Sequence, residues 1–383
     1  MQVTKTVEPA LIRRFISTSR SPVSSHHTPG RNTGHPFQTP VHLILNFAVD
    51  APMSRQVPAG DKTAPIVLLY DFEWGNQIFP REEELHGCQL VVDPSRLADA
   101  HVVVFHVPTI PPLQEIPKQL GQIWVAMCME SEVNYPLLSD LEFMRHFDLT
   151  MTYRLQSDIP CLYFGPQTRD ALRRPPLPKT ESASTVYFAS NDRDKCGRME
   201  HARDLMRYLQ VDSYGKSLRN RELLEDRGTI TKLETIARYK FTLAFENAIS
   251  QDYVTEKFFE PLIVGSVPVY RGAPNIDDFA PGEHCFINAT DFRSPRELSE
   301  YLLHLAAHDA EYESYLSWKE KPFAARFLEK IGPFFETGFD RLCSQLALKN
   351  GRLALTIEQR DPIHKAVRWL QAARGPFTRA PAP

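Results

Sequence analysis

Three polar clusters in this sequence hold residue types able to bind an anion or move a proton. The first is Tyr239-Lys-Phe-Thr-Leu-Ala-Phe-Glu-Asn247, followed by Asp252-Tyr-Val-Thr-Glu-Lys257. An apolar strand delivers Glu246 and Asn247 at its carboxyl end, and a short loop leads into a helix capped by Thr255. The free N–H groups and positive dipole end of a helix start favour an anion such as phosphate, and Lys257 adds a formal charge there. Glu256 has the wrong sign for phosphate but suits ribose hydroxyls, as acids do in dinucleotide folds. An isolated Thr-Glu-Lys is more often an ordinary capped helix. Glu246, Asn247 and Tyr253 beside it tip the reading toward a binding site.

The second cluster is Phe188-Ala-Ser-Asn-Asp-Arg-Asp-Lys-Cys-Gly-Arg198, again a strand end, a polar loop and a helix start. Arg198 could offer a bidentate guanidinium fork to a diphosphate. An arginine set against the helix dipole hints at a nearby anion, although a solvated arginine gives the same sequence. Asp192-Arg-Asp194 could be read as a D-x-D metal motif, but three charges in a loop arise often by chance, and no metal is expected. The third cluster, Met129-Glu-Ser-Glu-Val-Asn134, follows an apolar run. A carboxylate at a strand's end beside apolar residues is suited to general-base work, and Glu130 and Glu132 compete for that role. A helix or loop start that merely prefers acids would look alike.

The elements that must position these clusters alternate in type. Apolar, β-branched runs at residues 66–70, 91–92, 102–107 and 123–129 suit central parallel strands covered on both faces. Arg173-Arg-Pro-Pro-Leu-Pro178 then breaks the pattern, because consecutive prolines forbid helix and remove ladder donors. Strand and helix patterns resume at residues 186–189, 199–209, 211–214, 232–239, 241–245, 255–264 and 267–270. The expected fold is α/β, with two Rossmann-like doubly wound domains facing a cleft at the carboxyl ends of their strands. The expected boundaries are a disordered arm over 1–61, a first domain over 62–178, a second over 179–330, and a helical extension and tail over 331–383.

Composition excludes some functions. With 44 Lys+Arg against 47 Asp+Glu, the net charge is −3, and no nucleic-acid-binding surface is implied. Hydrophobic residues at 42% and charged residues at 24% suit a globular chain. The apolar run at residues 41–49 is far short of the ~20 residues that cross a bilayer. Six scattered cysteines without a C-x-x-C pair argue against a zinc site. Of the 31 prolines, seven precede residue 62, where a transit segment or disordered arm is expected.

In order and spacing, the first cluster followed by Gly265-Ser-Val-Pro-Val-Tyr-Arg-Gly-Ala-Pro-Asn275 resembles the donor-binding signature of the family 10 fucosyltransferases, the α-1,3/1,4-fucosyltransferases. Tyr153-Arg-Leu-Gln-Ser-Asp158, Ser190-Asn191 with Arg198, Val211-Asp-Ser-Tyr-Gly215 and Phe286-Ile-Asn-Ala-Thr-Asp291 extend the likeness. The resemblance implies a GT-B enzyme that binds GDP-fucose in its second domain and transfers fucose with inversion to an N-acetylglucosamine-containing glycan, or to a glycoprotein acceptor. It implies that Arg198 and Lys257 hold the diphosphate, Glu256 the ribose, and that Asn247 and Tyr253 line the donor site with Glu246. Glu130 matches the family's general base, but Glu132 stands where the family has proline, so the choice between the acids stays open. No obligatory cofactor follows, and a divalent cation is not indicated. Protein O-fucosyltransferase and non-catalytic sugar-nucleotide binding are the alternatives. A Golgi location follows from the resemblance, and a bacterial cytoplasmic enzyme is the alternative. Oligomeric state is not legible.

Overall fold

Two parallel sheets account for most of the strands in the computed structural model, which describes residues 64–70, 84–85, 87–191, 193–346, 348–349 and 352–353. The arm expected over 1–61, and Asp192 of the D-x-D triplet, lie outside the described residues.

The first sheet holds β1 (Ile66–Tyr70), β2 (Glu84–Leu85), β3 (Cys88–Val91), β4 (Val102–His106), β5 (Ile123–Cys128), β6 (Leu149–Thr152) and β7 (Ile159–Pro160). Their spatial order is β2-β3-β1-β4-β5-β6-β7, all parallel except the β2–β3 pair. Successive residues face opposite sides, and both sides are buried. Val67, Leu69, Val102, Val104, Val125 and Met127 pack on one face, and Leu68, Val103, Phe105, Trp124 and Ala126 on the other. That two-sided burial is why the central strands β1, β4 and β5 are apolar on both faces rather than alternating.

The second sheet is built from β8 (Thr185–Tyr187), β9 (Val211–Ser213), β10 (Phe241–Phe245), β11 (Val267–Arg271) and β12 (Ile287–Asn288), in the all-parallel order β12-β11-β10-β8-β9. Its helices are α1 (Arg198–Leu205), α2 (Thr229–Ala237), α3 (Glu256–Val264) and α4 (Pro295–Ala307). Strand order reverses between β8 and β10. In an open α/β sheet the crevice forms at such a switch point, and the loops leaving β8 and β10 are the two that carry the polar clusters of residues 188–198 and 246–257. The two-sheet α/β arrangement is the expected GT-B class.

The helix α3 keeps Pro261 inside it. The proline lacks the N–H that would bond the Lys257 carbonyl four residues back, yet the helix continues to Val264. It stops at Gly265, whose φ of +75° is the left-handed cap that glycine adopts without strain. Pro176 lies against that glycine, so an added Cβ would come within 2.5 Å of it. The proline-rich stretch is therefore packed onto the second domain. Arg173 packs beyond the second sheet, with its guanidinium 3.5 Å from the Phe323 ring centroid.

After the second sheet the chain crosses back. Helix α5 (Gly338–Gln345) packs Phe339, Leu342 and Cys343 onto the β1, β4 and β5 face of the first sheet. A capping box between Thr337 and Asp340 starts it, and the Arg341 guanidinium bonds the Pro160 carbonyl at the sheet's edge. Of the extension expected over 331–383, α5 thus serves the first domain's core, and residues 354–383 lie outside the described residues. Leu342 is fully buried there. Leu342→Ala is expected to lower unfolding free energy by about 2–5 kcal/mol, the usual result of deleting a buried leucine. A urea titration checks this, and an unchanged midpoint would mean that α5 does not carry the first sheet.

Candidate active site

The site is assembled around the β10 exit. Glu246, the residue after the strand, is fully buried. Its Oε1 accepts the Thr255 N–H at 2.8 Å and its Oε2 accepts the Thr255 hydroxyl at 2.8 Å. The Lys257 ammonium lies 3.6 Å from the same Oε2. Burial pushes the Glu246 pKa up, and Lys257 opposes that push. Thr255 in turn caps α3 by accepting the Lys257 N–H. A buried acid therefore sets where the helix begins, and Glu246 acts behind the cleft surface, through Thr255 and Lys257.

Lys257 is the cation at that helix start. Its Nζ bonds Glu256 Oε1 at 2.9 Å and Thr255 Oγ1 at 3.1 Å. Desolvation works against its charge, but Glu256 and Glu246 outweigh it and raise its pKa. Glu256 is desolvated too, yet Lys257 and Lys232 hold it well below the ordinary carboxyl range. The pair is thus charged, and it sits at the positive end of α3.

Across the switch point, Arg198 opens α1 with only 1% of its surface exposed. Its guanidinium donates to the carbonyls of Asn191 and Phe245, and its Nε has no acceptor among the described residues. Asp194 accepts the N–H groups of Cys196, Arg198 and Met199, which caps the helix and keeps the acid's pKa low against desolvation. The D-x-D triplet thus contributes a cap at Asp194. No group of three or more His, Cys, Asp or Glu side chains among the described residues could hold a metal ion.

The third cluster meets the first. Tyr253, buried to 1% exposure, donates its hydroxyl to Glu130 Oε2 at 3.0 Å, and its ring stands edge-on to Tyr153 at 5.0 Å between centroids. Asn134 Nδ2 donates to Asn247 Oδ1 at 3.1 Å. The Tyr163 hydroxyl donates to the Met129 carbonyl. Glu130, Asn247 and Tyr253 therefore share one contact region between the domains. Glu256, Lys257 and Glu246 form a second group at the start of α3, and Arg198 follows the loop after β8.

Glu130 and Glu132 are in different situations. Glu132 accepts from Arg154 Nη2 at 2.6 Å, from Ser250 Oγ at 2.6 Å and from the Tyr153 hydroxyl. Burial would raise its pKa, but Arg154, Ser250 and Tyr153 together bring it below the usual value. Glu130 accepts one side-chain hydrogen bond among the described residues, from Tyr253. Of the two acids, Glu130 is the one left with an oxygen to receive a proton. Arg154 and Ser250 were missing from the sequence reading. Arg154 stood inside the Tyr153 to Asp158 motif, so a signal was present, whereas nothing in Ile249-Ser250-Gln251 distinguishes it from an ordinary loop. Asp252 is a further case, with φ +64° and its carboxylate on Asn275 Nδ2 at 2.9 Å and on the Leu155 N–H at 3.2 Å. It ties together three of the motifs.

Residues 62–164 match the family model described as Fucosyltransferase, N-terminal, and residues 178–359 match Glycosyltransferase family 10 (fucosyltransferase) C-term. The chain belongs to glycosyltransferase family 10. This family 10 chain is 33% identical over 278 residues to Alpha-(1,3)-fucosyltransferase B of Drosophila melanogaster, covering 67% of this chain and 62% of that protein. It is 35% identical over 238 residues to GDP-fucose protein O-fucosyltransferase 3 of Homo sapiens, covering 57% of this chain and 48% of the human one. It therefore spans about half to three-fifths of the length of these curated relatives. A crystal structure of an alpha1,3-fucosyltransferase with GDP-fucose aligns over 87% of this chain and 96% of its own, at 15% identity and a TM-score of 0.47.

For this family 10 chain, the ionisation of Glu132 has a measurable sign. A carboxyl whose folded pKa lies below its ordinary value of 4.5 stabilises the fold above that value and loses the contribution as pH falls through the folded pKa. Glu132→Gln is expected to be less stable than wild type near neutral pH, with the gap closing as the solution is acidified below 4.5. Thermal melts across that range check it, and a gap independent of pH would contradict the ionised assignment.

Proposed function

We propose that this chain transfers L-fucose from GDP-β-L-fucose to a hydroxyl of an N-acetylglucosamine-containing glycan, as an inverting α-1,3-fucosyltransferase. The observation that carries the reading is the Tyr253–Glu130 hydrogen bond. It brings the carboxylate after β5 against the loop that leads into α3 and Lys257. The acceptor oxygen attacks the anomeric carbon as the bond to the diphosphate breaks, and Glu130 takes the hydroxyl proton. Attack opposite the leaving group turns a β-linked donor into an α-linked product. Negative charge grows on the departing GDP, where Lys257, Arg198 and the N–H groups of α3 would stabilise it. Glu256 would hold the ribose, and Asn247 and Tyr253 would line the donor site. The unshared Nε of Arg198 supports an anion at that edge, since a buried guanidinium donor without an acceptor is costly.

A second reading, protein O-fucosyl transfer, is favoured by the similar identity to the human O-fucosyltransferase and by Pro261 with Pro268-Val-Tyr-Arg-Gly272. A third, sugar-nucleotide binding without turnover, lacks such an observation. Residence in the Golgi is part of the proposal, supported by the eukaryotic relatives. Among the described residues no helix is long and apolar enough to cross a membrane.

Incubation with GDP-fucose and N-acetyllactosamine tests the leading reading, with an α-fucosylated product expected. Label appearing only on a folded protein acceptor would move the assignment to the second reading. No transfer to either, by a folded sample, would refute both. The division of roles is separable by calorimetry. Lys257→Ala is expected to weaken GDP binding by about tenfold or more, the usual worth of a hydrogen bond to a charged group. Glu130→Ala is expected to leave GDP affinity unchanged while turnover falls by roughly 10²–10⁴-fold, as for loss of a general base. Equal loss of GDP affinity in both variants would overturn the assignment.

A further inference from the structure

Glu132 is held by three side chains, and they come from both domains. Tyr153 and Arg154 reach it from the end of β6 in the first sheet, and Ser250 reaches it from the loop after β10 in the second. The Ser250 hydroxyl also lies 3.2 Å from the Tyr153 hydroxyl and 3.3 Å from Arg154 Nη2. The four side chains therefore form one connected network, with the Glu132 side chain at 16% exposure and that of Arg154 at 6%.

The network acts on a short, stiff segment. Ser131, fully buried, accepts the Val133 N–H on its hydroxyl at 3.1 Å and the N–H groups of Asn134 and Tyr135 on its carbonyl at 2.9 Å. Those bonds lock residues 131–135 into a turn that holds Glu132 and begins at the residue after Glu130. Asn134, two residues later, is pinned to Asn247 of the second domain. A buried ion pair contributes little net stability, because desolvation offsets attraction. Its established use is to specify one arrangement among several.

We infer that Glu132 is a positioning residue, an ionic latch that joins the Glu130 loop to the second domain and sets the distance from Glu130 to the donor. The inference rests on the fucosyl-transfer reading above for its catalytic consequence, but the latch itself is a statement about the protein without substrate. Glu132 is already held by three donors, so it is not the proton acceptor. Its substitution should change how well Glu130 is aimed, and should leave the anion site at α3 untouched.

Two variants test this. Glu132→Gln keeps the shape and removes the charge that pairs with Arg154. Ser250→Ala removes the second domain's contact and leaves the Arg154 pair in place. In Glu132→Gln, kcat for transfer is expected to fall roughly ten- to hundredfold, the scale of a misplacement near 1 Å, while GDP affinity stays within about twofold of wild type. Without substrate, amide hydrogen exchange in residues 129–135 and 247–252 is expected to quicken in both variants, with the smaller kcat loss in Ser250→Ala. A folded Glu132→Gln with unchanged kcat would overturn the inference. So would a loss of GDP affinity that matches the loss in kcat, which would make Glu132 a donor ligand. If Glu132→Gln fails to fold, Ser250→Ala carries the same test. If wild type turns over no GDP-fucose, the functional reading fails, whereas unchanged exchange in both variants would refute the latch alone.

Discussion

A fully buried carboxylate at the end of β10 is the constraint on which the rest of the site depends. Glu246 has no water to solvate it, so its oxygens must be satisfied from within. Thr255 supplies two donors and Lys257 a countercharge. The demand fixes the position of Thr255, and Thr255 fixes where α3 begins. The helix start, with its free N–H groups and Lys257, is thereby held against the end of a central strand rather than left to a flexible loop. Neighbouring residues obey the same demand. Gly272 has no Cβ because one would sit 2.6 Å from the Glu246 Cγ and 2.3 Å from the Tyr270 hydroxyl. Tyr270 uses that hydroxyl on the Tyr253 carbonyl and accepts the Ala273 N–H. The glycine of the strand-end Tyr-Arg-Gly is therefore a packing consequence of Tyr270 and the buried Glu246.

From that fixed helix, order spreads across the domain boundary through polar contacts. Tyr253 carries it to Glu130, Asn247 to Asn134, Ser250 to Glu132 and Asp252 to Leu155. All four lie within the seven residues from Asn247 to Tyr253. An apolar interface would hold the domains together, but it would tolerate sliding. Directional hydrogen bonds do not, and the general-base role proposed for Glu130 would need that directionality.

The fold was largely legible in the sequence, because a strand buried on both faces is apolar at nearly every position. The runs at 66–70 and 241–245 coincide with β1 and β10 residue for residue. Helix starts were readable where a side chain caps them, as Thr255 does for α3. Less was legible where a contact joins distant segments. Glu132 and Ser250 are 118 residues apart, and neither has a local pattern that announces the other. The competition between Glu130 and Glu132 was undecidable for this reason, since their difference lies in partners rather than in neighbours. The return of α5 to the first sheet is a similar case. Its amphipathic pattern shows a face to be buried, but not which sheet buries it.

The proposed fucosyl transfer puts the diphosphate at the start of α3, apart from Glu130, the carboxylate proposed as base. A crystal structure of the chain with GDP tests it most directly. The prediction is a diphosphate at the N-terminus of α3, within hydrogen-bond distance of the Lys257 ammonium, with Thr255 still on Glu246 and no phosphate contact from Glu130. A diphosphate bound away from α3, or one that displaces Thr255 from Glu246, would contradict it.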